Sequence, residues 1–164
     1  MKINSHGIQY VVELLDMIVD WYDKNLNREG FPRRSGYFTL RSRIDGRVLF
    51  HCQIGKCPDE DKAAKYANFS YEKGCRLLSH PDHVSSWQSK NDEAKQYAGA
   101  IAISNYILSF SGLPELADEA VVLILAYMIK LGTLEEVERL AKISGNTVFT
   151  ELKTFTEVHY SMMQ

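Results

Sequence analysis

The stretch Ser109-Phe110-Ser111-Gly112-Leu113-Pro114-Glu115 joins two apolar segments, residues 100–108 and 120–129. The first segment is typical of strands, and the second is long enough for a buried helix. Glycine permits a tight corner between them, and proline is favoured in the first turn of a helix. This stretch therefore predicts a strand that turns sharply into a buried helix. It determines the C-terminal half of the fold and does not identify a reaction.

The N-terminal region predicts an amphipathic helix over residues 5–26, capped by Asn4 or Ser5. Residues 27–35 contain Gly30 and Pro32, which indicates a loop. The apolar residues of the helix recur at helical spacing, with acidic residues on the other side. These apolar residues are Ile8, Val11, Val12, Leu15, Ile18, Val19 and Tyr22.

Two strands flank Asp45-Gly46. A two-residue turn would mix apolar and charged residues on both faces, whereas a three-residue loop, 45–47, pairs Ile44 with Val48 and separates the faces. We therefore predict the second register. Its apolar face carries Phe38, Leu40, Ser42, Ile44, Val48, Phe50, Cys52 and Ile54. The opposite face carries Tyr37, Thr39, Arg41, Arg43, Leu49, His51 and Gln53, and we expect it to be too polar for a dry core.

A second helix begins after Pro58 and ends by Pro81, with acidic residues 59–61 near the positive end of its dipole. Its stripe of mostly small residues predicts a close approach to a sheet. The segment 83–96 is polar, and we expect a loop with a helical turn near residues 84–87. A second hairpin, 98–103 and 106–111, turns at Ser104-Asn105.

The long buried helix is predicted to begin at Pro114 and to end at Gly132. Thr133 and Glu136 form a capping box for a further helix over residues 134–143, which ends at Gly145. The tail 147–160 alternates threonine with apolar residues. We interpret it as weakly strand-prone, or as an arm onto a neighbouring molecule.

These elements predict an α+β fold in which two β-hairpins form an antiparallel sheet packed by helices, in the order α-ββ-α-ββ-α. A C-terminal helical appendix follows. We divide the chain into an α+β domain over residues 1–132 and an appendix over 133–164, packed on the same domain or on a neighbouring subunit.

Composition excludes several classes of partner. A formal net charge of −2 over 164 residues argues against nucleic acid, because nucleic-acid-binding domains carry a basic excess. The longest apolar run, 120–129, is too short to cross a membrane. The N-terminus lacks an apolar signal segment, and the three cysteines lack framework spacing. We therefore expect a cytoplasmic protein with reduced thiols.

The order of elements is close to a profilin/PAS-like layout, and the chain resembles the GlcG/HbpS family, also called haem-degrading-like proteins. The resemblance covers about residues 5–132. It rests on the hairpin 36–54, the following helix, the strand start at 97–101, and residues 107–112 leading into Asp118-Glu119. The second helix departs from the family in being acidic at its start rather than arginine-rich, and Ala98-Gly99 replaces a Gly-Gly pair. The resemblance implies a compact oligomer that binds a small ligand, which is haem in some members.

Ser111 and Gly112 are candidate ligand-binding residues because they precede a helix N-terminus, where N–H groups and the helix dipole favour an anion. The structural alternative is that Gly112 only permits a tight corner. Glu115, Asp118 and Glu119 already place negative charge at this helix end.

Arg41, Arg43 and His51 share the polar strand face and are the second candidate ligand-binding group. Guanidinium groups suit carboxylates, including haem propionates. The alternative is a solvated strand face or a salt-bridged subunit contact.

His80 and His83 flank Pro81-Asp82 and are the candidate metal ligands, for instance as an axial ligand of haem iron. Helix capping is the alternative. No four-ligand zinc pattern and no nucleophile or phosphate-loop motif occurs in the sequence, so the catalytic residues stay unknown.

The helix over 120–131 is apolar nearly all round, which predicts that another subunit or the appendix covers its outer side. We expect a homo-oligomer. The favoured function is an oligomeric cytoplasmic protein that binds haem or another anionic metabolite. The alternatives are an enzyme that degrades or modifies such a ligand, and a protein-interaction scaffold.

Overall fold

The structure is a computed structural model that describes residues 5–162. It contains five helices and one sheet in this part of the chain. Their bounds are α1 Ser5–Asn25, β1 Gly36–Ser42, β2 Val48–Ile54, α2 Glu60–Leu78, β3 Ala100–Ile103, β4 Tyr106–Ser111, α3 Glu115–Met128, α4 Leu134–Ser144 and α5 Thr147–Met162. A 3-10 turn, Ser86–Ser89, lies between α2 and β3 and overlaps the helical turn predicted near residues 84–87.

The four strands form one antiparallel sheet in the order β2-β1-β4-β3. The two predicted hairpins therefore join through β1 and β4, with Tyr37 opposite Ser111. Helices pack on both faces, which confirms the predicted α+β class. As a consequence, the end of β4 and the start of β1 lie side by side.

The first hairpin keeps its predicted faces but not its predicted register. Leu40 lies opposite Phe50, whereas the predicted register would place it opposite Cys52. The Ile44–Val48 pair is wrong, since Ile44 lies in the turn and is 78% exposed. From Gly36 to Leu40 the observed pairing is displaced by two residues from the predicted one, and this keeps the faces because side chains alternate with a period of two. A bulge then shifts the register between Leu40 and Arg41.

Helix α2 covers the β1 part of this polar face. The expectation that the face is too polar for a dry core is therefore wrong for Thr39 and Arg41, whereas His51 and Gln53 on β2 are exposed. Thr39 and Arg41 are 1% and 5% exposed. The Thr39 hydroxyl lies 2.7 Å from the Ser70 hydroxyl, and Arg41 donates to the Cys75 sulfur at 3.1 Å. Gly74 carries no side chain at the contact with β4, which lets α2 lie close to the sheet.

The opposite face of the sheet holds the main core, against α1 and α3. Phe38, Leu108 and Phe110 are almost fully buried there. Helix α3 ends at Met128, earlier than the predicted Gly132, because Lys130 adopts a left-handed backbone conformation with φ +60°.

The tail is a helix, so the prediction of a strand or of an arm is wrong. Phe149, Leu152 and Phe155 recur at helical spacing in α5, and all three are buried. Together with α4 and α1, α5 packs on α3 within the same chain. The apolar surface of α3 is thereby covered without a second copy. Self-association stays a prediction, and α3 no longer supports it.

None of the helices in the part of the chain that the structure describes has the length and apolarity that a bilayer-crossing segment requires.

Candidate functional site

The corner between β4 and α3 lies directly against the loop that precedes β1. Gly112 has φ +154°, and a Cβ atom there would lie 2.3 Å from the backbone oxygen of Ser35. Only glycine permits this approach. The contact brings Arg33, two residues before Ser35, to the outer side of the corner. The prediction that Gly112 forms a tight corner is confirmed, and the corner is also a junction of two segments.

A cleft of about 400 Å³ opens between this corner and α2. This volume lies within the range of small-molecule sites. The lining includes three cationic and two acidic side chains, together with three aromatic rings and the residues of the corner. These residues are Arg33, Lys65, Tyr66, Phe69, Lys73, Tyr97, Ser111, Gly112, Leu113, Pro114, Glu115 and Asp118.

The floor of the cleft is a buried ion pair that joins α2 to α3. The Lys73 ammonium lies 2.8 Å from a carboxylate oxygen of Asp118 and also donates to the carbonyl of Phe110 at 2.9 Å. Both side chains are at most 3% exposed. Burial raises the pKa of Asp118 to about 6, and the nearby Lys73 charge opposes this increase.

The acidic residues at the start of α3 balance the helix dipole themselves. Asp118 accepts the N–H of Leu113 at 2.8 Å, and Glu115 accepts the N–H of Ala98 at 2.7 Å. Lys90 pairs with the other oxygen of Glu115. The corner is thus a poor anion site on its own, and positive charge in the cleft has to come from side chains.

Two cationic side chains lie above the floor. The Arg33 side chain is 24% exposed and forms an ion pair with Glu29. The Lys65 ammonium lies 5.9 Å from the centre of the Phe69 ring, and Lys65 forms no ion pair within residues 5–162. Burial raises the pKa of the Tyr66 hydroxyl, while Arg33 acts in the opposite direction.

Aromatic side chains form an apolar wall of the cleft. The rings of Phe69 and Tyr97 meet edge to face, with their centres 5.1 Å apart. Both side chains are half-buried. Aromatic faces beside cationic groups are suited to a ligand with a flat body and a negative group. The lining carries one more cationic than acidic side chain, which also favours an anion.

The structure does not bring Arg41, Arg43 and His51 into this cleft. Arg41 donates to the carbonyl of Gly46 and to a thiol, and Arg43 donates to the carbonyl of Pro81. His51 lies 2.8 Å from the Thr39 hydroxyl, and burial lowers the pKa of its imidazole. These residues do not fit a common propionate site, because both arginines are directed to backbone carbonyls. Of the predicted ligand-binding residues, only Ser111 and Gly112 line the cleft.

His80 and His83 are close together after α2. Their rings stack with centres 4.7 Å apart, and His80 Nδ1 lies 2.7 Å from the carbonyl of Arg76. His83 Nδ1 is buried and has no hydrogen-bond partner in the described chain. Within residues 5–162, no group of three or more histidine, cysteine, aspartate or glutamate residues could hold a metal ion. The geometry of His80 corresponds to the capping alternative.

Sequence reasoning missed Lys73, Tyr66 and Tyr97 as members of the cleft. One signal was available for Lys73, since it lies beside Ser70 and Gly74 in the small-residue stripe of α2. A lysine beside such a stripe is unusual on a helix face that packs closely on a sheet. The roles of Tyr66 and Tyr97 depend on tertiary contacts alone.

Comparisons of this chain with protein-family models, with curated proteins and with solved structures found no match.

Proposed function

We propose that this protein binds a small anionic ligand with a flat body in the cleft between α2 and the β4–α3 corner. The observation that carries the proposal is the convergence of Arg33 and Lys65 with the aromatic wall of Phe69 and Tyr97. Because Lys65 lacks an ion-pair partner among the described residues, a ligand anion would supply one.

The proposed activity is binding without chemistry. Lys73 and Asp118 are the buried ionisable groups of the cleft, and each is already held by the other. Asp118 also accepts the N–H of Leu113, so both of its oxygens are engaged. A general base needs a free oxygen within reach of a substrate proton. This pair is therefore suited to holding α2 against α3.

The proposal keeps the ligand-binding function that the resemblance to GlcG/HbpS proteins implies, and it moves the site. Haem makes a demand that a small anion does not, since the protein must supply a side chain that coordinates the haem iron. Tyr66 and Tyr97 are the lining side chains of a type that ligates haem iron. Hemin is for this reason a second probe in the experiment.

The test is an NMR titration of the ¹⁵N-labelled full chain with sodium benzoate and, separately, with hemin. Benzoate is expected to shift the amide signals of Lys65, Phe69 and Gly112. Lys65→Gln is expected to weaken binding about two- to fivefold, because it removes one exposed ion pair. Lys62→Gln, on the same helix but outside the cleft, is the matched control and should bind like the wild type.

Equal effects of Lys65→Gln and Lys62→Gln would contradict the proposal. Hemin binding that is lost in Arg41→Gln or His51→Ala, but not in Lys65→Gln, would instead support the strand-face site that the sequence predicted.

A further inference from the structure

Arg33, at the mouth of the cleft, is occupied by a carboxylate from its own chain. Its Nε lies 2.5 Å from one oxygen of Glu29, and a terminal nitrogen lies 3.1 Å from the other oxygen. This is the two-point geometry in which a guanidinium group recognises a planar carboxylate. The remaining terminal nitrogen is 3.3 Å from the carbonyl of Gly112, which holds the guanidinium at the corner.

Outside this ion pair, the Glu29 side chain is weakly held. It is 35% exposed, and its carboxylate makes no hydrogen bond to another described residue besides Arg33. A partly exposed ion pair of this kind contributes modest stability, because both partners keep contact with water. Glu29 can therefore move into solvent while the guanidinium stays at the corner.

We infer that Glu29 occupies the position of the ligand's anionic group, and that the ligand is a carboxylic acid whose carboxylate replaces Glu29 on Arg33. This inference rests on the proposed function. The flat body of the ligand would then lie toward Phe69 and Tyr97. Glu29 is not among the residues that line the cleft, and the lining carries three cationic and two acidic side chains. This net charge matches a single negative charge better than the two charges of a phosphate monoester.

This arrangement makes Glu29 a competitor of the ligand and thus a determinant of its affinity. Glu29→Gln removes the competing charge and keeps the shape, so it is expected to tighten carboxylate binding about two- to fivefold. Arg33→Lys keeps the charge and removes the two-point geometry, so it is expected to weaken binding. Glu151→Gln makes the same change of charge at an exposed position of α5 and should have no effect.

The experiment titrates each full-chain variant with sodium benzoate, phenyl phosphate and benzyl alcohol and follows the ¹⁵N amide signals of the cleft. Tighter benzoate binding by Glu29→Gln, weaker binding by Arg33→Lys and a wild-type preference for benzoate over both other probes would support the inference. Thermal melting of each variant shows whether it is folded.

The experiment distinguishes a failure of this inference from a failure of the proposed function. If benzoate binds the wild type, but Glu29→Gln and Glu151→Gln bind it equally, the exchange on Arg33 is refuted while the cleft stands. A preference for phenyl phosphate refutes the carboxylate class. If neither benzoate nor phenyl phosphate shifts the cleft signals of any variant, both the proposed function and this inference are refuted.

Discussion

Lys73→Met tests the buried ion pair that joins α2 to α3 at the floor of the cleft. At the observed separation of 2.8 Å, an effective dielectric constant near 20 implies an attraction of about 6 kcal/mol, part of which offsets the desolvation of the two charges. Removing one partner leaves the other buried without a counter-charge. We therefore expect Lys73→Met to lower the free energy of unfolding by about 3–5 kcal/mol at pH 7.5.

The cost should depend on pH in a definite direction. Burial already raises the pKa of Asp118 to about 6, and loss of the Lys73 charge raises this pKa further. A carboxyl group whose pKa is raised in the folded state contributes stability below its unfolded pKa, and this contribution is lost as the pH rises through the folded value. Lys73→Met should therefore be less destabilising at pH 5, where Asp118 takes up a proton, than at pH 7.5.

Urea unfolding followed by the fluorescence of Trp21 and Trp87 measures these free energies. The double variant Lys73→Met with Asp118→Asn removes both charges, and the coupling between the two sites should exceed about 1 kcal/mol. The reasoning is refuted if Lys73→Met costs less than about 1 kcal/mol at both pH values, or if the two substitutions are additive.

Three further outcomes follow from the fold. Gly112→Ala should lower the melting temperature more than Gly145→Ala does, because a Cβ atom at position 112 would lie 2.3 Å from the Ser35 backbone oxygen, whereas no atom beyond the chain neighbours lies within 4 Å of a Cβ at position 145. Equal melting temperatures would contradict the close contact between Gly112 and Ser35. Leu152→Ala should lower the free energy of unfolding by about 2–5 kcal/mol, since Leu152 is fully buried. Thr150→Ala, at an exposed position of the same helix, is the control. Similar losses for both variants in urea unfolding would show that α5 does not bury Leu152 against α3. An NMR pH titration should place the imidazole pKa of His51 below 6.5, because partial desolvation of the ring disfavours its charged form. The stability that neutral His51 contributes is lost as the pH falls through the folded-state pKa, and a pKa above 6.5 would contradict this prediction.

Local patterns were sufficient for most of the secondary structure. The amphipathic period of α1, the capping box at Thr133 and the left-handed Gly145 after α4 all act within a few residues, and the structure confirms each of them. The tail was misread because its alternating threonines obscured the helical spacing of Phe149, Leu152 and Phe155. That spacing is stabilised by packing on α3, which a local pattern does not contain.

The sequence predicted the backbone corner of the candidate site but not the side chains that line the cleft. Ser111 and Gly112 were identified because a glycine between a strand and a proline indicates a corner. Arg41 was expected to bind a ligand, since nothing local showed that α2 would lie across β1 and bury this side chain. The position of the cations that line the cleft depends on contacts between residues far apart in the chain, such as Arg33 with the corner.

The sequence by itself determined the order of helices and strands and the turn at Gly112, because hydrophobic period, capping and backbone freedom are properties of neighbouring residues. Only the tertiary structure decided which charges meet. The close approach of α2 to the sheet buries Lys73 against Asp118, and the loop packed at Gly112 places Arg33 at the mouth of the same cleft. Interactions between charges depend on distance and on exclusion of water, and both are set by packing rather than by position in the chain.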